Sequence, residues 1–566
     1  MNKPMKINQR VQILLLCFAL GVLIVAPRLP RLGYYTTADE PQYLKTAAKF
    51  FHTFQNKDFS DSPKGFHPGI TALWAGYGGF AIGYPDYADR ENPSIGDTGL
   101  IFTLLRKGTS VIEVLAYARF WMILMQASLL ILSFILLIPL VGKWPAFLSI
   151  AFVSLDPFFF AHSRFLGVDG LLGNIMFTSA LATVNYFRSK KQSYLYLAGG
   201  LTGLGILTKT PALFMFGILG IGLLLQFWRE LKTDRKSNLI SSVFHKLITP
   251  LTLYSISALV VVYALWPALW FDPNSFWELM VFTIESVGGG HSTATFFNGE
   301  VVQTGNFGLE YFYFYPLIYL WRTTPGILIG VIGAIVLVWK NESKQAKNIG
   351  LLAVYAFLYL LAISLSAKKF DRYLLPIFPP LAVIASLGWI WIAEKTANII
   401  NKANRKLVIG AVIGVGFLFQ AVPLVSTFPY YISYYNPLMG GGKAAPQVMM
   451  IGWGEGLDEA ARLLNEIPGI TEKNVYTWYP HIFDYYFFRK VNTRSNYFEI
   501  SGTLSDEQFE DFINADFAVI YVHQMQRSMS PKVLAYLDGE KPSQSVWIDG
   551  IKYVQIFDLK KIRAQK

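Results

Sequence analysis

The sequence predicts a polytopic α-helical membrane protein that ends in a small α/β domain, and three observations predict it. Hydrophobic residues make up 53% of the 566-residue chain and charged residues only 15%, against about 25% charged in a soluble domain. Apolar stretches of roughly 20 residues, the length that crosses a bilayer as helix, recur about eleven times before residue 430. Beyond that point the pattern changes to short strand and helix segments in alternation.

The candidate spans fall near 11–27, 112–141, 145–162, 165–187, 194–209, 211–228, 247–270, 324–340, 350–366, 373–393 and 407–427. The first follows a basic start and runs on into PRLPRLGYY without a small-residue cleavage site, so it reads as an uncleaved anchor. With the N-terminus inside, the basic clusters all fall on the cytoplasmic side, as the positive-inside rule requires. Examples are Lys3, Lys6 and Arg10, then Arg188, Lys190 and Lys191, and later Lys395, Lys402, Arg405 and Lys406. The net charge of +12 therefore reports topology, and a nucleic-acid partner is excluded in favour of membrane lipids. Cys17 is the one cysteine, inside the first span, so there is no disulfide framework.

Three parts then face outward. A first loop, 28–111, contains Asp39-Glu40 and the run EPQYLKTAAKFFHTF, which places Tyr43, Ala47, Phe50 or Phe51, and Phe54 on one helical face. That pattern predicts a helix lying flat on the membrane, because the loop offers little else to pack against. The glycine-rich stretch 69–84 reads as interfacial or re-entrant. A second loop, 271–323, carries GGGHSTATFF and an aromatic run from Phe307 to Tyr315, as expected of a flexible lid touching the headgroup layer. The third part, 437–566, reads as an extracytoplasmic α/β domain. Its strands are VMMIGW, NVYTWY and FAVIYVH, its helices DEAARLLNEI, SDEQFEDFINA and SPKVLAYLD, and VWIDGIKYVQIFDL closes it as a hairpin. GWGEGLDEA (452–460) lacks a full glycine fingerprint and reads as a tight turn and helix start.

Charged residues gather at the outer ends of the spans. LDPFFFAHSRFLGVDGLLG supplies Arg164 and Asp169, LTKTPAL supplies Lys209, and SAKKFDRYLLPIFPP supplies Lys368, Lys369, Arg372 and Tyr373. GFHPG adds His67, an isolated loop hydrogen-bonder rather than a metal ligand. A carboxylate at the edge of a bilayer is costly to dehydrate and usually marks function. A sugar carried on a polyprenyl phosphate holds its phosphate at headgroup height, where Arg and Lys can stabilise the leaving phosphate and a carboxylate can activate a hydroxyl. The bland reading is that these cations snorkel or bind headgroups. Arg119, in VLAYARFWM, reads as the partner of a carboxylate.

These motifs resemble a known family. HSRFLGVDGLL resembles the SRF-two-residue-LD signature of protein O-mannosyltransferases, with Val168 before Asp169. Asp39-Glu40 after one N-terminal span resembles their first-loop DE pair, and FHPG resembles their HPP motif with Gly69 for the second Pro. KKFDRYLLPIFPPLAV is similar to a segment of bacterial relatives that include aminoarabinose transferases. The chain is thereby similar to the GT-C superfamily, glycosyltransferase family 39, over roughly residues 10–430, and its helical part is expected to be GT-C-like.

The resemblance implies inverting transfer of mannose or another hexose or pentose from a polyprenyl-phosphate donor to a protein, lipid or glycan acceptor. Asp39 matches the catalytic base with Glu40 in support, and Arg164, Lys209, Lys368, Lys369, Arg372 and Tyr373 match the donor-phosphate environment. Asp169 matches the signature carboxylate, which holds a cation or orients the acceptor, so a divalent cation stays open as the one candidate cofactor. No large domain separates the seventh and eighth spans, unlike in eukaryotic protein mannosyltransferases. A transporter or lipid-linked-glycan flippase is the alternative, but the charges gather at one surface and the halves do not repeat. An oligosaccharide-transferring member would carry a WWD-type motif at its soluble domain, whereas Trp270-Phe271-Asp272 lies elsewhere.

Overall fold

Helices dominate the chain up to residue 426, and the C-terminal domain sits on one end of their bundle. The structure, a computed structural model, describes residues 7–65, 68–89, 97–233, 239–287, 294–303, 308–340, 345–400, 404–487, 495–497, 504–527 and 529–566.

Among the described residues, seven helices are long and apolar enough to cross a membrane: Gln9–Arg28, Val111–Val141, Thr210–Lys232, Leu239–Leu265, Ala346–Ser364, Asp371–Ile400 and Arg405–Ser426. Leu309–Arg322 and Pro325–Trp339, bent by 113° at their break, make an eighth if they form one broken span. That is fewer than the eleven read from hydropathy. Lys143–Leu155 has 13 residues, short for a span, and Gln192–Thr208 has 17, at the lower limit for one. Asp169–Ser189 is enclosed by other helices and buries Thr178, Ser179 and Asn185, which bond to Ser133, Thr202 and the Leu136 carbonyl of the neighbouring helices.

The first long loop, 28–111, packs on itself and on the helix that follows it. The Glu40–Gln55 helix starts at Asp39 with Pro41 in its first turn, where the missing N–H costs nothing. Its apolar face is buried against the Ile70–Gly83 helix, with ring centroids 5.0 Å apart for Phe50 and Trp74, 5.1 Å for Phe51 and Tyr77, and 5.2 Å for Phe54 and Trp74. A methyl group on Gly76 would lie 2.3 Å from the Ala47 side chain, so glycine is what lets the two helices approach. Ile70–Gly83 packs in turn on Val111–Val141. The surface-lying helix expected from the sequence is therefore corrected: its partner was the glycine-rich stretch 69–84.

In the loop 271–323, the glycine run 288–290, His291 and Phe307 lie outside the described residues, and the flexible-lid expectation falls there. Strands β1 (Ala294–Phe297) and β2 (Glu300–Gln303) form an antiparallel hairpin beside them. The hairpin reaches the C-terminal domain through an isolated bridge from Phe297 to Met449 and a 2.7 Å bond from the Asn298 N–H to the Val448 carbonyl.

The C-terminal domain holds β3 (Val475–Thr477), β4 (Ser495–Tyr497), β5 (Phe517–Tyr521), β6 (Gln544–Ile548) and β7 (Ile551–Asp558) in the order β4-β3-β5-β7-β6. The first three are parallel and the last three antiparallel. Helices Leu457–Asn465, Asp506–Asn514 and Pro531–Leu537 coincide with the expected ones, and Ser505 with Gln508 forms a capping box. The strand expected at VMMIGW is absent. That segment is irregular because its backbone is tied to side chains and loops instead: Ile451 N–H donates to Gln526, and the Trp453 carbonyl accepts from Ala38 N–H at 2.9 Å.

Candidate active site

The two adjacent acids of the first loop have opposite environments. Glu40 is 1% exposed, and every direction around its carboxylate is occupied. One oxygen accepts from Arg119 Nε at 2.6 Å and Leu166 N–H at 2.8 Å; the other accepts from Thr37 N–H at 2.8 Å and Thr37 Oγ1 at 2.9 Å. The Arg119 Nη2 closes the pair. Arg119 also donates to the carbonyls of Leu32 and Tyr35. This buried pair ties the first loop, the Val111–Val141 helix and the SRF segment together, and gives Arg119 the carboxylate partner expected from the sequence.

Asp39 instead keeps its side chain 38% exposed and meets Arg372 at 3.6 Å, beyond a direct hydrogen bond. Asp169 bridges the cations behind it, with Arg372 Nε at 3.2 Å and Lys209 Nζ at 2.5 Å. The Lys209 ammonium lies 4.4 Å from the Tyr373 ring centroid. One cluster therefore joins residues from four separate stretches: the first loop, the SRF hairpin, the LTKTP turn and the KKFDRY segment.

The remaining predicted residues divide. Arg164 is buried away from this cluster, donating to the Pro30 carbonyl at 2.5 Å and lying 4.9 Å from the Tyr431 ring. Lys369 is buried and donates to the Ser364 carbonyl at 2.7 Å, and burial lowers its ammonium pKa to about 8. Lys368 is half-buried near Phe370; burial lowers its pKa first, and the positive charges of Arg372 and Lys209 add to that. His67 lies outside the described residues.

Asp39 and Arg372 open onto a cavity of about 160 Å³ whose far side belongs to the C-terminal domain. Sequence reasoning missed that contribution. Trp453, from the turn GWGEG, stacks its ring 5.4 Å from His162 and 4.9 Å from the Arg372 guanidinium. Gly454 has φ +126°, and a methyl there would lie 2.2 Å from the Thr36 carbonyl oxygen, so only glycine lets this turn sit against the residues before Asp39. Tyr479, His523 and Arg527 line the same cavity. The odd glycine spacing at 452–456 was the available signal; the other three carried none.

Arg322 was missed as well. It clamps Asp371 at 3.0 and 2.6 Å, donates to the carbonyls of Ile432 and Tyr434, and lies between the rings of Phe158 and Tyr435. That fixes the segment from which Arg372 projects.

A metal ion does not fit at Asp169, since its two oxygens are taken by Lys209 and Arg372. Among the described residues no group of three His, Cys, Asp or Glu side chains converges as a metal would require.

Residues 101–254, which include Arg119, Arg164, Asp169 and Lys209, match the family model of dolichyl-phosphate-mannose-protein mannosyltransferase. The chain is similar to the GT-C membrane glycosyltransferases. Solved structures with a likeness include ArnT from Cupriavidus metallidurans in the apo state, at 14% identity over 97% of this chain and 98% of that chain, with a TM-score of 0.49. The same protein bound to undecaprenyl phosphate gives 12% identity over 96% and 98%, with a TM-score of 0.48. The oligosaccharyltransferase AglB from Archaeoglobus fulgidus, in complex with an inhibitory peptide and a dolichol-phosphate, gives 11% identity over 91% and 70%, with a TM-score of 0.47. No curated protein matches the chain.

Proposed function

We propose that the chain is an inverting glycosyltransferase that takes a hexose or pentose, mannose among them, from a polyprenyl-phosphate donor. The acceptor is a hydroxyl or phosphate on protein, lipid or glycan at the outer face of a bacterial-type plasma membrane. In this reading the N-terminus is cytoplasmic and the C-terminal domain extracytoplasmic.

One observation carries the assignment of the base. Three carboxylates line the cavity: Asp39, Asp371 and Glu455. Asp371 is clamped by Arg322, and Glu455 accepts from Trp453 N–H at 2.5 Å and Tyr521 OH at 3.2 Å. Asp39 alone of the three is loosely held. As base it removes the acceptor's proton while the acceptor oxygen bonds to the anomeric carbon from the face opposite the phosphate. The bond from the anomeric carbon to the phosphate oxygen breaks, and its electron pair leaves on the polyprenyl phosphate. That phosphate passes from a singly charged diester to a monoester with a further negative charge, which Arg372 stabilises. Lys209 and Lys368 complete the cationic surround, with the Tyr373 ring against Lys209, while Arg164 and Lys369 hold the backbone that carries it. Asp169 keeps Arg372 aimed before donor arrives.

The test is Asp39→Asn in protein reconstituted with an undecaprenyl-phosphoryl hexose. Turnover is expected to fall by about 10²–10⁴-fold, with unchanged membrane insertion. Turnover near that of the unaltered protein would overturn the assignment.

A further inference from the structure

The cavity wall made by the C-terminal domain carries donors that the reaction above leaves unused. His523 is 5% exposed, its Nδ1 lies 3.0 Å from the Tyr479 hydroxyl, and its Nε2 has no hydrogen-bond partner. With the hydroxyl donating to Nδ1, the ring proton sits on Nε2 and makes it a donor. Burial, with the positive charges of Arg527 and Arg372 behind it, lowers the His523 pKa well below its ordinary value, so the ring is neutral. Arg527 lies one helical turn further on, in the segment that leaves Val522–Gln526. Its guanidinium is 5.6 Å from the Trp478 ring, its Nε is buried without a partner, and among the described residues no carboxylate pairs with it.

Elsewhere around the cavity the cations are balanced: Arg322 by Asp371, Arg372 by Asp39 and Asp169. A half-buried guanidinium with a buried, unpartnered Nε and no counter-charge, lining the same cavity as an unsatisfied ring N–H, is costly to maintain. An oxyanion would satisfy both groups at once, one oxygen on the guanidinium and one on the imidazole N–H.

We propose that His523 and Arg527 form a second oxyanion subsite in this cavity, for a phosphate or carboxylate other than the donor-lipid phosphate. The subsite itself stands on these contacts, while its separation from a donor phosphate at Arg372 rests on the proposed function. The anion belongs either to the acceptor or to the transferred sugar. In both cases the C-terminal domain selects a charged substrate, and the membrane part supplies the chemistry.

The experiment titrates inorganic phosphate, and separately undecaprenyl phosphate, into the purified full chain and its variants. Phosphate is expected to bind the unaltered protein after it has been saturated with undecaprenyl phosphate. Arg527→Gln should weaken phosphate binding by at least about tenfold, and undecaprenyl phosphate binding by less than about twofold. Arg527→Lys, which keeps the charge, should retain most of the phosphate affinity, and this guards against a folding defect in the glutamine variant. Absent phosphate binding, equal binding to Arg527→Gln, or equal weakening of both ligands would overturn the subsite. Failure of the unaltered protein to bind undecaprenyl phosphate would instead overturn the donor reading. The source of the anion is read by competition against phosphate. Carried by the sugar, it makes undecaprenyl-phosphoryl glucuronate compete while undecaprenyl-phosphoryl glucose does not; carried by the acceptor, neither competes.

Discussion

Replacing Glu40 by Gln separates structure from chemistry at this site. The two Glu40 oxygens accept from five donors, and whichever oxygen becomes the amide nitrogen, at least two of those donors lose their acceptor. The Arg119 guanidinium, 3% exposed, also loses its counter-charge. Each buried donor left unsatisfied costs about 1–3 kcal/mol, and removing one partner of a buried ion pair costs about 3–5 kcal/mol in total. Glu40→Gln should therefore lower the thermal unfolding midpoint of the purified protein sharply, whereas Asp39→Asn, at a loose 3.6 Å pair whose Arg372 keeps Asp169 as counter-charge, should change stability by less than about 1 kcal/mol. Adding Arg119→Met to Glu40→Gln removes the stranded charge and should recover part of the loss. Unfolding followed by intrinsic fluorescence in detergent, with turnover measured alongside, distinguishes the two acids. If Glu40→Gln keeps the midpoint of the unaltered protein yet loses turnover as Asp39→Asn does, then Glu40 takes part in the chemistry and the positioning role fails.

Two further outcomes follow from the C-terminal domain. Gly454→Ala should cost about 1–3 kcal/mol from its positive φ alone, and the clash with the Thr36 carbonyl should push the turn off Asp39. The readouts are unfolding and loss of turnover, and wild-type values for both would refute the contact. His523 makes the domain acid-sensitive: its pKa is below 6.5 in the folded state and about 6.5 unfolded. The unfolded chain therefore binds more protons in that window, so the stability is fully present above about pH 6.5 and falls as pH drops toward the folded value. His523→Gln should remove that slope, and an unchanged slope would refute the assignment.

Motifs and periodicity make much of the site legible in the sequence. Asp39, Asp169, Lys209 and Arg372 stand out as charges at the ends of apolar stretches, because water-seeking groups at the edge of a bilayer are costly enough to be conspicuous. Arg119 inside a span demands a carboxylate, and Glu40 supplies it. Three things are hidden. The apolar face of Glu40–Gln55 fits a bilayer surface or a neighbouring helix equally well, and the composition of the loop does not choose between them. The helices that enclose Asp169–Ser189 leave no trace in its hydropathy. Tyr479, His523 and Arg527 look like ordinary residues of a small domain, since nothing local marks a side chain that will face another part of the chain.

Taken alone, the order of residues determined the membrane setting, the charge layer and the candidate base, because each follows from how single segments partition between water and lipid. The packed structure decided which of two neighbouring acids is free, which cations reach it, and that the C-terminal domain closes over Asp39. Those outcomes depend on donors and carbonyls brought from hundreds of residues away. Burial and hydrogen bonding across such distances have no local pattern from which to be read.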